Sequence, residues 1–366
     1  MDSEKLSVHA VGDIIPDCAD PESLFALALP TLKEADILFG QLEVAFTKNA
    51  SGLQMHNYGA RRVGPEKVSA LIRAGFDVMS FAGNHALDLG ERSFLETISS
   101  VTANNIGVIG AGRNIEEARK PVILDRKGTR VAFLAYCSIL PQGYDAGPDR
   151  PGCAPIKVST FYEQIDWQPG TPPKIITIAD KDDVASMADD IANAKASSDV
   201  VIVSMHWGIH LVPAVLAMYQ KEVGHAAIDA GADLIIGHHP HILKAVEVYK
   251  GKVIFYSIGN FIVPSSKDRK SHGLDLYKVK ADPEYPHYRY PVDARKTVIA
   301  KCVIAGKRIE RVSYFPALIN KEVQPEVLRR HDKRFDEVMS YIDAVSRHED
   351  IETQFSVDGD EVVICT

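Results

Sequence analysis

The sequence predicts an α/β fold with mixed sheets. Short apolar or β-branched runs alternate with segments of helical period through much of the chain, the pattern of strand–helix–strand units. Paired strand signals around Lys127-Gly128 and Lys250-Gly251 add hairpins, and hairpins put antiparallel neighbours into a sheet. Five of the strands also end in a short polar signature, and in such folds ligands bind at the carboxyl ends of strands.

Taken in order, Leu6–Val11 is a strand with Gly12-Asp13 at its end. Pro21–Ala35 reads as a helix, with Asp20 as its cap and Pro21 in the first turn. Asp36–Phe39 is a strand running into Gly40-Gln41-Leu42-Glu43, and Gly52–Arg62 is a polar loop. Pro65–Ala74 is a helix stopped by Gly75. Phe76–Phe81 is a strand ending in Gly83-Asn84-His85, followed by a helix over Glu91–Asn105 and a short strand at Gly107–Ile109. Lys120–Asp125 and Arg130–Tyr136 pair as a hairpin. Leu140–Pro173 is rich in Gly, Pro and Asp without periodicity, and reads as a long loop over the site.

Lys174–Ile178 is a strand and Asp182–Lys195 a helix. The β-branched strand Asp199–Ser204 ends in Met205-His206-Trp207-Gly208, and Ala214–Ala230 is a helix ended by Gly231. Leu234–Ile236 is a buried strand that stops at Gly237 and releases His238, His239 and His241. Ala245–Tyr249 and Lys252–Tyr256 form the second hairpin, and Ser265–Arg295 is a Tyr/Pro-rich loop. Thr297–Ile304 and Arg308–Phe315 are strands joined at Gly306. Pro325–Val345 has the apolar spacing of a helix packed on the core, and Phe355–Cys365 suggests a small hairpin around Asp358-Gly359.

Composition narrows the function. A chain of 366 residues with 46% hydrophobic content can bury a large core; we read one elaborated domain over 1–320, with the helix and hairpin of 321–366 packed on it. The net charge is −8 and no Lys/Arg run is present, so nucleic acid is not an expected partner. The five cysteines are scattered without a CxxC, which fits neither a disulfide framework nor a cysteine zinc site and suits a reduced, cytoplasmic setting. The N-terminus lacks a leader pattern, although a chain trimmed of one would read the same, and no apolar run is long enough to span a bilayer.

Six of the 13 histidines (His206, His210, His225, His238, His239 and His241) fall within one short region. Neutral imidazole is the commonest metal-ligating side chain. Asp13, Glu43, Asn84, His206, His239 and His241 collect at strand ends, with His85, Asp88 and His210 nearby. Carboxylate, amide and imidazole donors together suit Mn²⁺, Fe or Zn²⁺, as one ion or as two sharing an acidic bridge. The competing readings are structural: Asp13 as a turn residue, Glu43 as a solvated carboxylate, Asn84 and His85 as a loop cap, His206 as a core histidine, and His210 as a loop start. His225 lies within a helix and reads as structural. His56, Arg61 and Arg62 lie in a polar loop that could meet an anionic substrate or simply be solvated. Trp207 either walls the pocket or fills the core.

These motifs resemble the poly-γ-glutamate capsule-synthesis (CapA-type) family, a branch of the calcineurin-like metallophosphoesterase superfamily. The resemblance rests on Gly12-Asp13, Leu42-Glu43, Asn84 through Gly90, His206-Trp207-Gly208, Asp229 through Asp233, Gly237 through His241, and Tyr256 through Phe261. It implies a four-layer α/β/β/α sandwich with one or two divalent ions at the strand ends. By position it implies Asp13, Glu43, Asn84, His206, His239 and His241 as ligands. His85 would protonate a leaving group or steady the transition state, and Asp88 would orient it. Asn260 would close the site, and His210, His238, Trp207 and Arg61 would meet the substrate.

The sequence departs from that pattern in places. Asp13 is followed by Ile14-Ile15 where the superfamily has Asp-x-His. Gln41 replaces a common Asn, and His210 replaces a common Glu. An extra residue after Gly237 leaves the choice between His238 and His239 open. The implied function is a metal-dependent hydrolase that uses activated water on a phosphoester or an amide/γ-glutamyl bond of a small or polymeric anionic substrate. The alternatives are an accessory, non-hydrolytic role in capsule biosynthesis, or a metal-binding structural domain.

Overall fold

The computed structural model describes residues 4–48, 61–265 and 282–366. His56, most of the polar loop that begins at Gly52, and the first half of the Ser265–Arg295 stretch lie outside the described residues.

The chain opens with β1 (Leu6–Ile14) and β2 (Ile37–Leu42), then α1 (Val68–Ala74), β3 (Val78–Ser80), α2 (Gly90–Thr102) and β4 (Gly107–Ile109). A hairpin follows, β5 (Val122–Arg126) with β6 (Thr129–Cys137), and then a ribbon, β7 (Val158–Glu163) with β8 (Lys174–Ala179). Next come α3 (Lys181–Ser197), β9 (Val200–His206), α4 (Met218–Asp229) and β10 (Leu234–His238). The hairpin β11 (Val246–Tyr249) and β12 (Lys252–Phe255) leads to β13 (Asn260–Ile262). The long strands β14 (Lys296–Ala305) and β15 (Arg308–Ile319) precede β16 (Pro325–Val327), α5 (Lys333–His348), β17 (Phe355–Asp358) and β18 (Glu361–Ile364).

Two mixed sheets carry the fold. The ten-stranded sheet runs β17-β18-β15-β14-β1-β2-β3-β4, with β13 beside β1 and β16 beside β15. β1 to β4 are parallel, and β14, β15 and β18 join antiparallel. The six-stranded sheet runs β11-β12-β10-β9-β6-β5, parallel at its centre and antiparallel at both edges.

Side chains alternate along each strand, so the sheets can pack face to face and still be covered outside. On β6, Val131, Phe133, Ala135 and Cys137 enter the core between the sheets, whereas Ala132, Leu134 and Tyr136 enter a second core. Phe39 on β2 stacks on Phe133 at 5.9 Å between ring centres, joining one sheet to the other. α3 and α4 cover the second core through Met187, Ile191, Val223 and Ala227. α1, α2 and α5 cover the ten-stranded sheet through Leu71, Phe94, Phe335 and Val338. The result is an α/β/β/α sandwich. β18 pairs with β15 from Val312 opposite Ile364, so residues 321–366 extend the same sheet as the first strand.

The helix expected from Ala214 starts only at Met218, because Ala214 has a positive φ of 63°, and three further stretches differ from the sequence expectation. Pro21–Ala35 is not one helix but a 3₁₀ turn at Ser23–Phe25 and one α turn at Leu29–Leu32, because Pro30 has no N–H to bond back to the preceding turn. Leu140–Pro173 contains strand β7, whose residues are nearly all exposed and therefore show no buried–exposed alternation to read. Pro325–Val345 begins as β16, and the helix starts at Lys333 because Asp332 caps it, accepting from the Arg334 N–H at 2.9 Å.

Where β1 ends, a Cβ on Gly12 would sit 1.9 Å from the Gly259 carbonyl oxygen. The strand end that delivers Asp13 therefore needs glycine. Gly12→Ala should lower stability by about 3 kcal/mol, at the upper end of overpacking costs. Urea unfolding checks this, and an unchanged midpoint would show that the two backbones are not in contact.

Candidate metal centre

Both sheets point carboxyl ends of parallel strands at one place. β1 supplies Asp13, and the residue after β2 is Glu43. Asn84 and His85 follow β3, His206 ends β9, and His239 and His241 follow β10. Two groups of donor atoms lie within 4.8 Å of one another: Glu43 with His206 and His239, and Asp13 with Glu43 and His241. Glu43 belongs to both. Its Oε1 is 3.5 Å from His206 Nε2 and its Oε2 is 3.6 Å from His241 Nε2. Asn84 Oδ1 lies 2.8 Å from His206 Nε2, and the His206 and His239 rings are 5.0 Å apart.

The backbone explains why His239 and His241 reach this place together. Both have positive φ, 93° and 56°, a costly conformation for residues with a Cβ. β10 runs on through His238, which packs 5.9 Å from Phe39 with its Nδ1 3.7 Å from Asp13 Oδ1. His238 is therefore fully buried behind Asp13, whereas His239 stands among the donors, its N–H 3.4 Å from Asp13 Oδ2. His241 Nδ1 lies 2.6 Å from Asn260 Oδ1, while Asn260 Nδ2 donates to the Tyr288 hydroxyl at 2.7 Å. A proton on Nδ1 then leaves Nε2 as the free donor atom facing Glu43.

The donor set fits a divalent cation. Asp13 Oδ1, both Glu43 carboxylate oxygens and His239 Nδ1 are buried without a hydrogen-bond partner. Buried polar groups are ordinarily paired, because leaving one bare costs several kcal/mol when it is charged. Burial pushes the Asp13 carboxyl up, and burial together with the charge of Asp13 pushes Glu43 up further. Burial also holds His206, His239 and His241 well below the usual imidazole range, in the neutral form that ligates metals. A mixed oxygen–nitrogen set of this kind suits Mn²⁺, Fe or Zn²⁺.

Around the donors the structure sorts the other sequence candidates. His85 is partly exposed, with Nδ1 2.7 Å from Asp88 Oδ2, and Asp88 Oδ1 accepts from the Tyr144 hydroxyl at 2.9 Å. A small cleft over the donors is lined by Glu43, Arg61, His85, Asp88, His241 and Tyr290. Arg61 also donates to the Pro264 carbonyl. The His210 ring lies 5.0 Å from that of His241 and 5.5 Å from that of His239, and burial lowers it to about 4, so it is uncharged at neutral pH. Trp207 does not reach the cleft. It stacks on Tyr256 in the second core and donates to the Tyr256 carbonyl at 2.9 Å. His225 bonds Glu247 across to β11, away from the centre.

Sequence reasoning missed Tyr144, Tyr288, Tyr290 and Lys244. The tyrosines sit in stretches without periodicity. Lys244 carried a signal, being a lysine inside the apolar run Ile242–Val246. It is fully buried and donates to the carbonyls of Val212 and Val215 in the loop after His210.

Because Glu43 stands in both donor groups, Glu43→Gln should lower metal content more than Asp13→Asn or His239→Ala. Asn260→Ala removes no ligand but loses the bonds to His241 and to the Tyr288 hydroxyl, and should weaken metal affinity about 10- to 100-fold. Elemental analysis and chelator competition on folded protein check the order, and unchanged metal content in all four would rule out the centre.

Comparison with known proteins adds the family. The family described as "Bacterial capsule synthesis protein PGA_cap" matches residues 6–265. The PGA biosynthesis protein CapA of Bacillus subtilis (strain 168) is 29% identical over 285 residues, covering 75% of this chain and 68% of that protein. A probable polyglutamine synthesis accessory protein of Mycobacterium tuberculosis is 29% identical over 205 residues, covering 55% of this chain and 49% of that one. The aligned part thus spans about half to two thirds of the length of these curated relatives. Among solved structures, a putative 5'-nucleotidase from Staphylococcus aureus is similar at 14% identity and a TM-score of 0.47, covering 95% of this chain and 58% of that one. The family match runs from the first strand past Asn260 and takes in every candidate ligand, and the chain belongs to the bacterial capsule synthesis protein family.

Proposed function

We propose that this protein is a metal-dependent hydrolase acting on a phosphoester or amide/γ-glutamyl bond of an anionic substrate, small or polymeric. The observation that carries this reading is the group of buried, partnerless carboxylate and imidazole atoms beneath a cleft whose rim holds a partly exposed histidine. Asp13, Glu43, Asn84, His206, His239 and His241 would hold the ion or ions. When bound, these supply Lewis-acid activation of water and of the substrate's oxygen.

The chain's own residues do the rest. A carboxylate only accepts, so the 2.7 Å contact of His85 with Asp88 puts a proton on His85 Nδ1 and fixes the ring. Nε2 is then the atom that exchanges a proton with the leaving group. The Tyr144 hydroxyl holds the second oxygen of Asp88, so the pair cannot swing away from the cleft. Arg61 supplies positive charge at the cleft, which suits a carboxylate- or phosphate-bearing substrate. His210 and Tyr290 stand beside His241 and narrow the approach. The Mycobacterium tuberculosis relative is named for polyglutamine synthesis, which favours a polymeric substrate.

A second reading has a specific observation behind it. The Mycobacterium tuberculosis relative is named an accessory protein, which fits a site that binds an anionic polymer without cutting it. Turnover of an aryl phosphodiester and of γ-glutamyl oligomers by metal-loaded protein separates the two. Turnover of either substrate supports the hydrolase; polymer binding with no turnover supports the accessory role. In the hydrolase, His85→Ala should lower kcat about 10²- to 10⁴-fold and Asp88→Asn about 10- to 100-fold, with metal content unchanged in both. Wild-type rates in His85→Ala would remove His85 from the chemistry.

A further inference from the structure

The ribbon of β7 and β8 is a two-stranded sheet of its own, outside both main sheets. It carries Phe161, Tyr162, Ile165, Trp167 and Ile175, all exposed, Tyr162 at 71% and Trp167 at 91%. Such a concentration of exposed large apolar groups marks an interaction surface. Phe161 pairs with Ile176 on one face, and Tyr162 pairs with Ile175 on the other. Both faces of the outer half are therefore apolar, and a partner lying flat on one face would leave the other wet.

The edge of the ribbon points to what does cover it. The Lys157 carbonyl accepts from the Asp180 N–H, so Lys157 continues the ladder toward β8. Antiparallel alternation then turns Ser159, Phe161 and Glu163 toward β8 and leaves the backbone groups of Val158, Thr160 and Tyr162 facing outward. Soluble proteins usually blunt such an edge with Pro, Lys or a bulge. Val158-Ser-Thr-Phe-Tyr-Glu163 has none of these, and its pairing with β8 is regular over all six residues.

We propose that this edge pairs antiparallel with the same edge of a second copy of the chain, about a two-fold axis at Thr160. Outward-facing residues must meet outward-facing residues, and this register satisfies that: Thr160 meets Thr160, and Val158 meets Tyr162. Ser159 then stands opposite Phe161, and the two Phe161 rings become diagonal neighbours on one face. The charges also match. Glu163 falls opposite Lys157 of the partner subunit, and Lys157 opposite the partner's Glu163. Among the described residues, the ion pairs these two make within one chain are long ones, Glu163 with Lys174 and Lys157 with Asp145, each at 3.7 Å. The pairing is isologous and closes at a dimer. It carries each ribbon tip, with Ile165 and Trp167, toward the body of the other copy.

Sedimentation equilibrium of the full chain tests this. The expected mass is twice the 40.2 kDa of one chain. Glu163→Lys and Lys157→Glu, each alone, set like charges opposite each other and should shift the protein to the single-chain mass. The double variant restores opposite charges and should restore the dimer. Thr160→Pro removes the outward N–H at the axis and should also give monomers. The proposal is overturned by a wild-type mass of one chain at every concentration. It is equally overturned by a dimer indifferent to these changes, by a double variant that stays monomeric, or by monomers that co-sediment with lipid vesicles through Trp167.

Discussion

The burial of Asp13 and Glu43 is the constraint on which the rest of the structure depends. Two carboxylates stand at the meeting of the sheets, almost wholly out of water. Without compensation each costs several kcal/mol, and their mutual repulsion adds to that. The chain surrounds them with imidazoles that burial keeps neutral, and the Arg61 charge offsets only part of the rise at Glu43. A divalent cation is the group whose charge reverses this balance. The same reasoning accounts for the positive φ at His239 and His241, since backbone strain persists only where its surroundings fix it.

The centre is split between the sheets, and this ties fold to function. Asp13, Glu43 and Asn84 come from the ten-stranded sheet, whereas His206, His239 and His241 come from the six-stranded one. No single sheet holds either donor group. The centre exists only when the sheets are packed, through contacts such as Phe39 on Phe133. Anything that binds there binds only the folded chain, so it stabilises the sandwich by mass action.

This division also explains what the sequence could and could not disclose. Strand ends and their polar residues are local features, so Asp13, Glu43, Asn84, His206 and the histidines after Gly237 could be picked out one by one. The four layers came through resemblance, because no local pattern says which face of β6 meets which face of β2. The choice between His238 and His239 was not legible. It depends on β10 extending one residue past Gly237 and then turning with positive φ. Trp207 stayed open for a similar reason: alternation along β9 fixes its side only once the strand end is known. The tyrosines around the cleft come from irregular stretches that only tertiary packing orders.

Lys244 shows how far the support of such a site extends. A buried ammonium is costly, and burial lowers this one to about 8. Its hydrogen bonds go to the carbonyls of Val212 and Val215, in a loop where Leu211 and Ala214 both adopt positive φ. That loop follows directly on His210, whose ring faces His239 and His241. A methionine of similar length would fill the space but bond neither carbonyl. The lysine is thus best understood as the tether of the His210 loop. The chain thus holds a buried charge at one remove from the centre, and its bonds to the two carbonyls fix the loop that presents His210.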